Sequence, residues 1–185
     1  MPITVRPAVP ADALSIAKIH VLAWQKAYRG IVADTYLDTL SVERRASFWH
    51  GVLSSPEHRA TPQVQVAIHR DAISGETVVG WIAYGKTRDT DKDETWAEFQ
   101  AIYLHPSHWA RGIGRQLSQA ALGCLSEAGF TNVSLWVLAK NTRAREFYGR
   151  IGFAEDPGSA KLFTIADSSV EELRYAAPLA PAKAA

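Results

Sequence analysis

The sequence predicts a mixed α/β (α+β) fold whose sheet is mostly antiparallel and contains one parallel strand pair. Three consecutive extended segments with short links, at about 64–68, 77–85 and 96–104, predict an antiparallel meander. Residues 113–128 then carry apolar side chains at helical spacing, and a short apolar strand follows at 133–138. A strand, a helix and a strand in this order predict a parallel pair joined by a right-handed crossover.

The other elements are predicted from apolar spacing and from turn residues. In chain order, they are a strand at 3–7, a helix with an apolar stripe from Leu14 to Tyr28, one or two short helices within 34–53 in a region that Pro62 ends, a last helix at 141–150, and two short strands near 161–165 and 170–177. We expect residues 1–177 to form a single domain and residues 178–185 to form a frayed tail.

The composition is that of an ordinary water-soluble globular protein, with 47% hydrophobic and 21% charged residues. A net charge of +1 argues against nucleic acid or a membrane surface as a partner. The single cysteine, Cys124, excludes an internal disulfide and is expected to be buried in its helix. Because the sequence shows neither a signal peptide nor an apolar stretch long enough to span a bilayer, we expect a cytoplasmic protein.

Two groups of polar residues are expected to have no ligand. The link 86–94 carries three basic and four acidic residues, which is typical of a solvated loop. His20, His105 and His108 are interpreted as surface or structural residues, and no pair of histidines has the spacing of a metal site. We therefore predict no metal centre.

The segment HPSHWARGIGRQL, residues 105–117, joins the end of a strand to the start of a helix. Helix starts carry unpaired amide groups and the positive end of the helix dipole, so they bind anions. Gly112 and Gly114 let phosphate oxygens approach the backbone, and Arg111 and Arg115 add positive charge. A tight turn that needs glycine only for its backbone angles is the alternative interpretation.

Two common nucleotide-binding motifs do not fit this segment. A dinucleotide fingerprint requires a third glycine where Leu117 stands. A Walker loop requires Gly-Lys-Ser/Thr, whereas Gly114 is followed by Arg115 and Gln116. A ligand with phosphates remains compatible with the loop.

At this loop the chain resembles the GCN5-related N-acetyltransferase (GNAT) family. The family signature is a hydrophobic-x-Pro step and then Gln/Arg-x-x-Gly-x-Gly, and the chain matches it at Leu104, Pro106, Arg111, Gly112 and Gly114. Trp109 departs from the signature, because it stands in the place of the usual Gln or Arg. A second signature, Asn-x-x-Ala-x-x-Phe-Tyr-x-x-x-Gly-Phe, is matched at all six positions: Asn141, Ala144, Phe147, Tyr148, Gly152 and Phe153.

The resemblance implies an N-acetyltransferase that uses acetyl-CoA, with helices on both faces of the sheet and a splayed parallel strand pair. It implies that the strand before the loop pairs with the pantetheine arm, and that loop amides hold the pyrophosphate. The implied cofactor-binding residues are Ile102, Tyr103, Leu104, Trp109, Ala110, Arg111, Gly112, Ile113, Gly114, Arg115, Asn141, Ala144, Phe147 and Tyr148.

Acetylation of an amine needs a base that removes a proton and benefits from an acid that protonates the leaving thiolate. The resemblance implies Tyr148 as the acid, with simple packing on an apolar helix face as the alternative. Glu98 is the candidate base, since some relatives carry a basic glutamate the same number of residues before the first loop glycine. An exposed strand carboxylate is the alternative interpretation of Glu98.

The acceptor is expected to be a small-molecule amine or a peptide. In such proteins the acceptor pocket forms from the first two helices and the strand-edge loops, which implies Trp24, Tyr28 and Tyr84 as substrate-binding residues here. Trp24 and Tyr28 also lie on the apolar stripe of their helix, so core packing is the alternative. An N-acetyltransferase of proteins or peptides and a non-catalytic sensor of acyl-CoA are the competing functions, and we expect a monomer or a homodimer.

Overall fold

The structure is a computed structural model that describes residues 3–60, 63–71, 75–166 and 168–180, without the side chains of residues 59 and 60. Its strands are β1 (Ile3–Pro7), β2 (Val64–Asp71), β3 (Gly75–Lys86), β4 (Trp96–Leu104), β5 (Asn132–Leu138), β6 (Ala154–Glu155), β7 (Lys161–Ile165) and β8 (Ser168–Pro178). Its α-helices are α1 (Ala13–Ala27), α2 (Asp34–Asp38), α3 (Val42–Ser54), α4 (Pro56–Ala60), α5 (Ile113–Glu127) and α6 (Thr142–Arg150).

The strands form one sheet in the order β1-β2-β3-β4-β5-β8-β6, with β7 paired to β8. The pair β4–β5 is parallel, and the other pairs among the described residues are antiparallel. The parallel pair follows from the crossover through α5, because a strand that returns in the same direction needs a long connection. The predicted fold class, a mostly antiparallel sheet with one parallel pair, is confirmed.

Helices cover both faces of the sheet. On one face, α5 contributes Ile113, Leu117 and Leu125 to a core that also contains Phe99 and Tyr148. On the other face, a second core contains residues of α1 and α3 packed on the sheet, namely Ile16, Ile19, Trp49, Leu53, Trp81 and Ala83. This two-sided burial accounts for the continuous run of buried residues in β2 and β3.

The parallel pair β4–β5 separates after four residues. Register partners run from Trp96 opposite Asn132 to Phe99 opposite Leu135 and stop there. At the same point, the pairing of β3 with β4 shifts, because Ala83 faces Ala101 while Tyr84 faces Phe99. Gln100 is therefore the extra residue of a β-bulge, which bends β4 away from β5. The splayed pair expected from the resemblance is present, and it opens a cleft in the sheet.

A few details differ from the sequence predictions. Cys124 is exposed rather than buried, because the apolar stripe of α5 that meets the sheet passes through Ala121 and Leu125. The predicted boundary at 177 is too early, since β8 reaches Pro178 and Leu179 is buried in the core. Residues 181–185 of the predicted tail lie outside the described residues, and so does Pro62. None of the helices described is long and apolar enough to cross a membrane.

Candidate active site

Backbone groups of β4 are directed into the cleft between β4 and β5. The amide of His105 donates to the carbonyl of Val79 in β3 over 2.9 Å. Because successive residues of a strand direct their backbone groups to opposite edges, those of Leu104 and Ile102 face the cleft. The backbone of Tyr103 faces β3, where Tyr103 is the register partner of Trp81. Three residues were expected to pair with pantetheine through their backbone. The expectation is wrong for Tyr103, because its backbone groups are directed at β3.

The N-terminus of α5 lies beyond the end of β4 and has no side-chain cap. Gly112 is the N-cap residue, with φ at 78°, and no side chain accepts a hydrogen bond from the first turn. Ala110, two residues earlier, also has a positive φ of 60°. The first amides of a helix have no acceptor within the helix. The first turn of α5 thus has no side-chain cap, and the anion site expected there stays a prediction.

Gly114 lets α6 approach the first turn of α5. A Cβ atom at Gly114 would lie 3.1 and 3.2 Å from two ring carbons of Phe147, and 3.6 Å from Leu104. The two separations from Phe147 are shorter than an ordinary contact between carbon atoms. Gly114 is needed for this packing and Gly112 for its left-handed backbone, so each of the two glycines has a separate physical reason.

Trp109, the departure from the family signature, ties the loop to both neighbouring elements. Its indole nitrogen Nε1 donates to the carbonyl of Leu104 over 3.0 Å. The guanidinium carbon of Arg143, in the first turn of α6, lies 4.1 Å from the centre of a Trp109 ring. An aromatic ring and a cation at this distance attract each other. Trp109 therefore braces the loop, while Arg111 and Arg115 are exposed beside it.

Asn141 is the N-cap residue of α6, the helix that carries Tyr148. The side-chain oxygen Oδ1 of Asn141 accepts the amide of Ala144 over 3.2 Å, a regular N-cap bond. The Tyr148 ring is buried to 9% exposure among Phe147, Phe153 and Tyr175. Burial raises the pKa of the Tyr148 phenol well above its usual value, with a smaller contribution from Tyr103. The hydroxyl group therefore keeps its proton at physiological pH.

A cavity of about 650 Å³ lies where the two strands separate, and both sides of the cleft line it. β4 contributes Phe99, Gln100 and Tyr103, and β5 contributes Trp136 and Leu138. The remaining walls come from residues on or next to α1, α2, the β3–β4 loop, β7 and β8. These residues are Trp24, Tyr28, Tyr36, Arg88, Asp89, Lys161, Phe163, Thr164, Ile165, Ala166 and Glu172. Glu98 of β4 also lines the cavity. The cavity combines aromatic rings with charged groups of both signs.

Two of the three expected acceptor residues line this cavity, and the third does not. Trp24 and Tyr28 line it and are in contact with each other, with ring centres 4.9 Å apart. Tyr84 is buried in the core on the α5 face of the sheet, where its hydroxyl interacts with Cys124. The β-bulge that separates Ala83 from Tyr84 in register sets this direction. The assignment of Tyr84 to the acceptor pocket is therefore wrong.

Glu98, the expected base, lines the cavity but is bound to an arginine. Its side chain is 2% exposed, and both of its oxygens accept from the guanidinium of Arg88. The backbone amide of Arg88 donates to Oε2 as well, over 3.1 Å. Interpreting Glu98 as an exposed strand carboxylate is thus wrong too, because the β3–β4 loop folds back over it. A carboxylate held by three donors has little capacity left to accept a proton from a substrate.

The charged link 86–94 is part of the site, against the expectation that it is a solvated loop without a ligand. Arg174 of β8 forms two bonds to the carboxylate of Asp91, at 2.8 and 2.7 Å, and one to Asp156 at 2.8 Å. Asp89 accepts from Arg174 and from the indole nitrogen of Trp136. These bonds hold the loop against β5 and β8, so that Arg88 and Asp89 face the cavity. Sequence reasoning missed Arg174 and Glu172, since the order of strands places β8 beside β5.

The three histidines considered in the sequence have different surroundings. His20 is buried against Trp24, Trp81 and Tyr103, and burial, aided by the charge of Arg45, lowers its pKa to about 3. It is therefore neutral and structural. His105 and His108 lie together near the loop, and Ser107 bridges their rings. Within the described ranges, no three side chains of His, Cys, Asp or Glu are grouped as a metal site.

Comparisons with known proteins agree with this geometry. The model of the acetyltransferase (GNAT) family matches residues 24–153. An N-acetyltransferase of Bacillus subtilis, YuaI, is 29% identical over 139 residues, which are 75% of this chain and 73% of that protein. A mycothiol acetyltransferase of Nocardia farcinica is 28% identical over 145 residues, which are 68% of this chain and 46% of that protein.

Two solved structures have the same fold. YncA of Salmonella typhimurium, solved with its cofactor acetyl-CoA, superposes with a TM-score of 0.71, 20% identity, and coverage of 100% of this chain and 98% of that chain. The PaiA N-acetyltransferase of Thermoplasma acidophilum, in complex with coenzyme A, gives a TM-score of 0.68, 20% identity, and coverage of 93% and 98%. The chain belongs to the acetyltransferase (GNAT) family and is an acetyl-CoA-dependent N-acetyltransferase.

Proposed function

We propose that this chain transfers the acetyl group of acetyl-CoA to a primary amine of a small molecule that binds in the cavity of about 650 Å³. The observation that carries the proposal is the position of this cavity. Residues of both β4 and β5 line it where the two strands separate, so it opens onto the cleft between them. The acceptor and the acetyl donor can therefore reach each other from the two sides of the sheet.

The residues on the cleft side fit coenzyme A. The uncapped first turn of α5 offers amides to a pyrophosphate, and Gly112 and Gly114 leave no side chain between the amides and the ligand. The backbone groups of Ile102 and the amide of Leu104 are directed at the cleft, where an extended pantetheine arm would pair with them, whereas the Leu104 carbonyl is bonded to Trp109. Asn141 uses its side-chain oxygen as a cap, so its amide nitrogen is the group that would donate to the cofactor.

Acetyl-CoA, when bound, supplies an acetyl thioester whose carbonyl carbon is open to attack by a neutral amine. Tyr148 is buried and holds its proton, so its hydroxyl is suited to donate that proton to a departing thiolate. Burial also excludes water from this end of the cleft, which strengthens electrostatic interactions with the reacting groups. A carboxylate that lines the cavity would take a proton from the incoming ammonium group.

The walls of the cavity favour a small acceptor over a long peptide. Phe163 and Ile165 of β7 and Tyr36 of α2 add apolar and aromatic side chains to the walls. Aromatic rings on opposite walls, including Trp24 and Trp136, suit a compact apolar or aromatic body attached to the amine. Acetylation of a peptide terminus and binding of acyl-CoA without turnover are the competing outcomes of the test below.

The test is thiol release from acetyl-CoA by the purified protein, with 2-phenylethylamine, spermidine, amino acids, aminoglycosides and short peptides as acceptors. Release that saturates with a small amine supports the proposal, whereas release with peptides alone would replace it by peptide acetylation. Binding of coenzyme A is measured separately by calorimetry. Tight binding without release in any reaction would assign the chain to acyl-CoA sensing.

A further inference from the structure

We propose that Glu172 is the carboxylate that binds the ammonium group of the acceptor and takes its proton. This inference rests on the proposed function and names a residue of the same cavity. Glu172 lies on β8, a strand to which sequence reasoning assigned no part of the site. It takes over the role first assigned to Glu98, whose carboxylate is held by Arg88.

Glu172 lies on β8, next to the part of β5 that borders the open cleft. In the sheet it is the register partner of Leu138 on β5 and of Lys161 on β7. Leu138 lies on the part of β5 that has separated from β4, so Glu172 stands beside the opening. Its side chain lines the cavity and is half-buried.

Glu172 differs from the other carboxylates of the cavity in having no partner. Glu98 is bound by Arg88, and Asp89 accepts from Trp136 and Arg174. In the described part of the chain, no cation lies within ion-pair distance of the Glu172 carboxylate and no group donates a hydrogen bond to it. A half-buried carboxylate without a partner is costly, and such groups occur where a ligand supplies the missing partner.

Charged and titratable side chains of several elements interact with Glu172. Lys161 faces it from β7, Arg88 from the β3–β4 loop and Glu98 from β4. The negative charge of Glu172 also raises the pKa of two phenols, those of Tyr28 at the C-cap of α1 and of Tyr103 on β4. Burial raises the pKa of Glu172 above its usual 4.5, and Glu98 raises it further, while Lys161 and Arg88 oppose the change. The net effect makes Glu172 a better proton acceptor than an ordinary glutamate.

Acetylation of an ammonium group removes two protons from its nitrogen, and Glu172 takes the first. A primary ammonium group, with a pKa of about 10.4 for a lysine-like amine, enters the cavity and is bound by the carboxylate. One N–H bond breaks and one O–H bond forms on Glu172, which leaves a neutral amine with its lone pair free for acetyl transfer. When the C–N bond has formed and the C–S bond has broken, the nitrogen loses a second proton, which replaces the one that Tyr148 gives to the departing thiolate. Glu172 releases the first proton to bulk water, so that an ammonium group and a thioester give an amide, a thiol and one proton. No oxidant, reductant or further reactant is needed.

The test compares Glu172→Gln with Glu171→Gln, an exposed glutamate on the same strand whose side chain points the other way. For the best amine of the panel at pH 7.5, we expect kcat/KM of E172Q to fall by about 100-fold or more, and that of E171Q to stay within twofold. The E172Q defect should shrink as the pH rises towards the pKa of the amine, because the amine then arrives without its extra proton. A purely structural defect would not recover in this way.

Stability separates a catalytic effect from misfolding. Because the folded-state pKa of Glu172 is raised, the folded protein holds this proton more tightly than the unfolded chain. Its contribution to stability is therefore lost as the pH rises from the usual value of 4.5 through the higher folded value. E172Q lacks this loss, so its melting temperature at pH 7.5 should equal or exceed that of the wild type. The proposal would be overturned if E172Q had a lower melting temperature than the wild type and a rate loss that a higher pH does not restore.

Binding provides a readout that does not depend on turnover. In the presence of coenzyme A, calorimetry at pH 7.5 should show at least tenfold weaker binding of the best-binding amine of the panel to E172Q, and unchanged binding to E171Q. Equal binding and equal rates for E172Q and wild type would overturn the role of Glu172 and leave the proposed function intact. A pH-dependent loss in Glu98→Gln but not in E172Q would return the role to Glu98. If the wild type neither binds nor acetylates any amine, both proposals fail.

Discussion

Gly114→Ala probes whether the close contact between α5 and α6 is a requirement of cofactor binding. The added methyl group would lie 3.1 and 3.2 Å from two ring carbons of Phe147, so the ring or the first turn of α5 must move by a few tenths of an ångström. Overpacking of this kind costs about 1–3 kcal/mol. Alanine in a helix gains about 0.5–1 kcal/mol over glycine, which offsets part of the cost. The net expectation is a loss of roughly 0–2 kcal/mol.

Gly123→Ala is the matched control in the same helix. A Cβ atom at Gly123 meets no atom within 4 Å, so the control gains helix propensity without a steric cost. It should stabilise the protein by about 0.5–1 kcal/mol. The two variants should therefore differ by about 1–3 kcal/mol, and each 1 kcal/mol corresponds to roughly 2–4 °C in Tm for a chain of this size.

The assay combines thermal unfolding with calorimetric titration of coenzyme A. Because the first-turn amides of α5 move with Gly114, we expect G114A to bind coenzyme A about tenfold more weakly, a loss of about 1.4 kcal/mol. G123A should bind as the wild type does. If G114A gains as much stability as G123A and binds coenzyme A equally well, the contact with Phe147 imposes no constraint on the site and the reasoning is refuted.

Three further substitutions test the cleft. Gly112→Asp should abolish binding of coenzyme A in calorimetry, because it adds a carboxylate at the N-cap of α5, and unchanged affinity would refute the assignment of the loop to phosphate. Tyr148→Phe should slow turnover about 10–100-fold in the thiol-release assay and change the affinity for coenzyme A less than twofold, whereas a wild-type rate would remove the hydroxyl from the mechanism. Trp109→Phe loses the bond to Leu104 and should lower the unfolding free energy by about 0.5–1.5 kcal/mol in urea titration, while an unchanged midpoint would mean that this bond does not stabilise the loop.

Local patterns in the sequence were sufficient for the fold class and for the backbone geometry at the start of α5. The meander, the crossover helix and the final helix each depend on spacing within one segment, and the structure has them close to the predicted positions. The uncapped start of α5 also follows from local residues, since Gly112 has no side chain that could cap it. Whether the first amides of a helix are capped depends on residues a few positions apart, so the sequence shows it directly.

The acceptor side depended on contacts between residues far apart in the chain. Sequence reasoning assigned Tyr84 to the pocket, because a strand pattern does not show a bulge in the neighbouring strand, and the bulge at Gln100 sets the register. It took Glu98 to be available, although Arg88 folds back to bind it.

Glu172 and Arg174 could not be assigned from sequence, since their surroundings depend on β8 lying beside β5. The sequence by itself determined that the start of α5 has no side-chain cap, because glycine and the backbone amides act locally. Only the tertiary structure decided which carboxylates are paired and which is free, because the strength of a charge depends on burial and on partners brought together by the sheet.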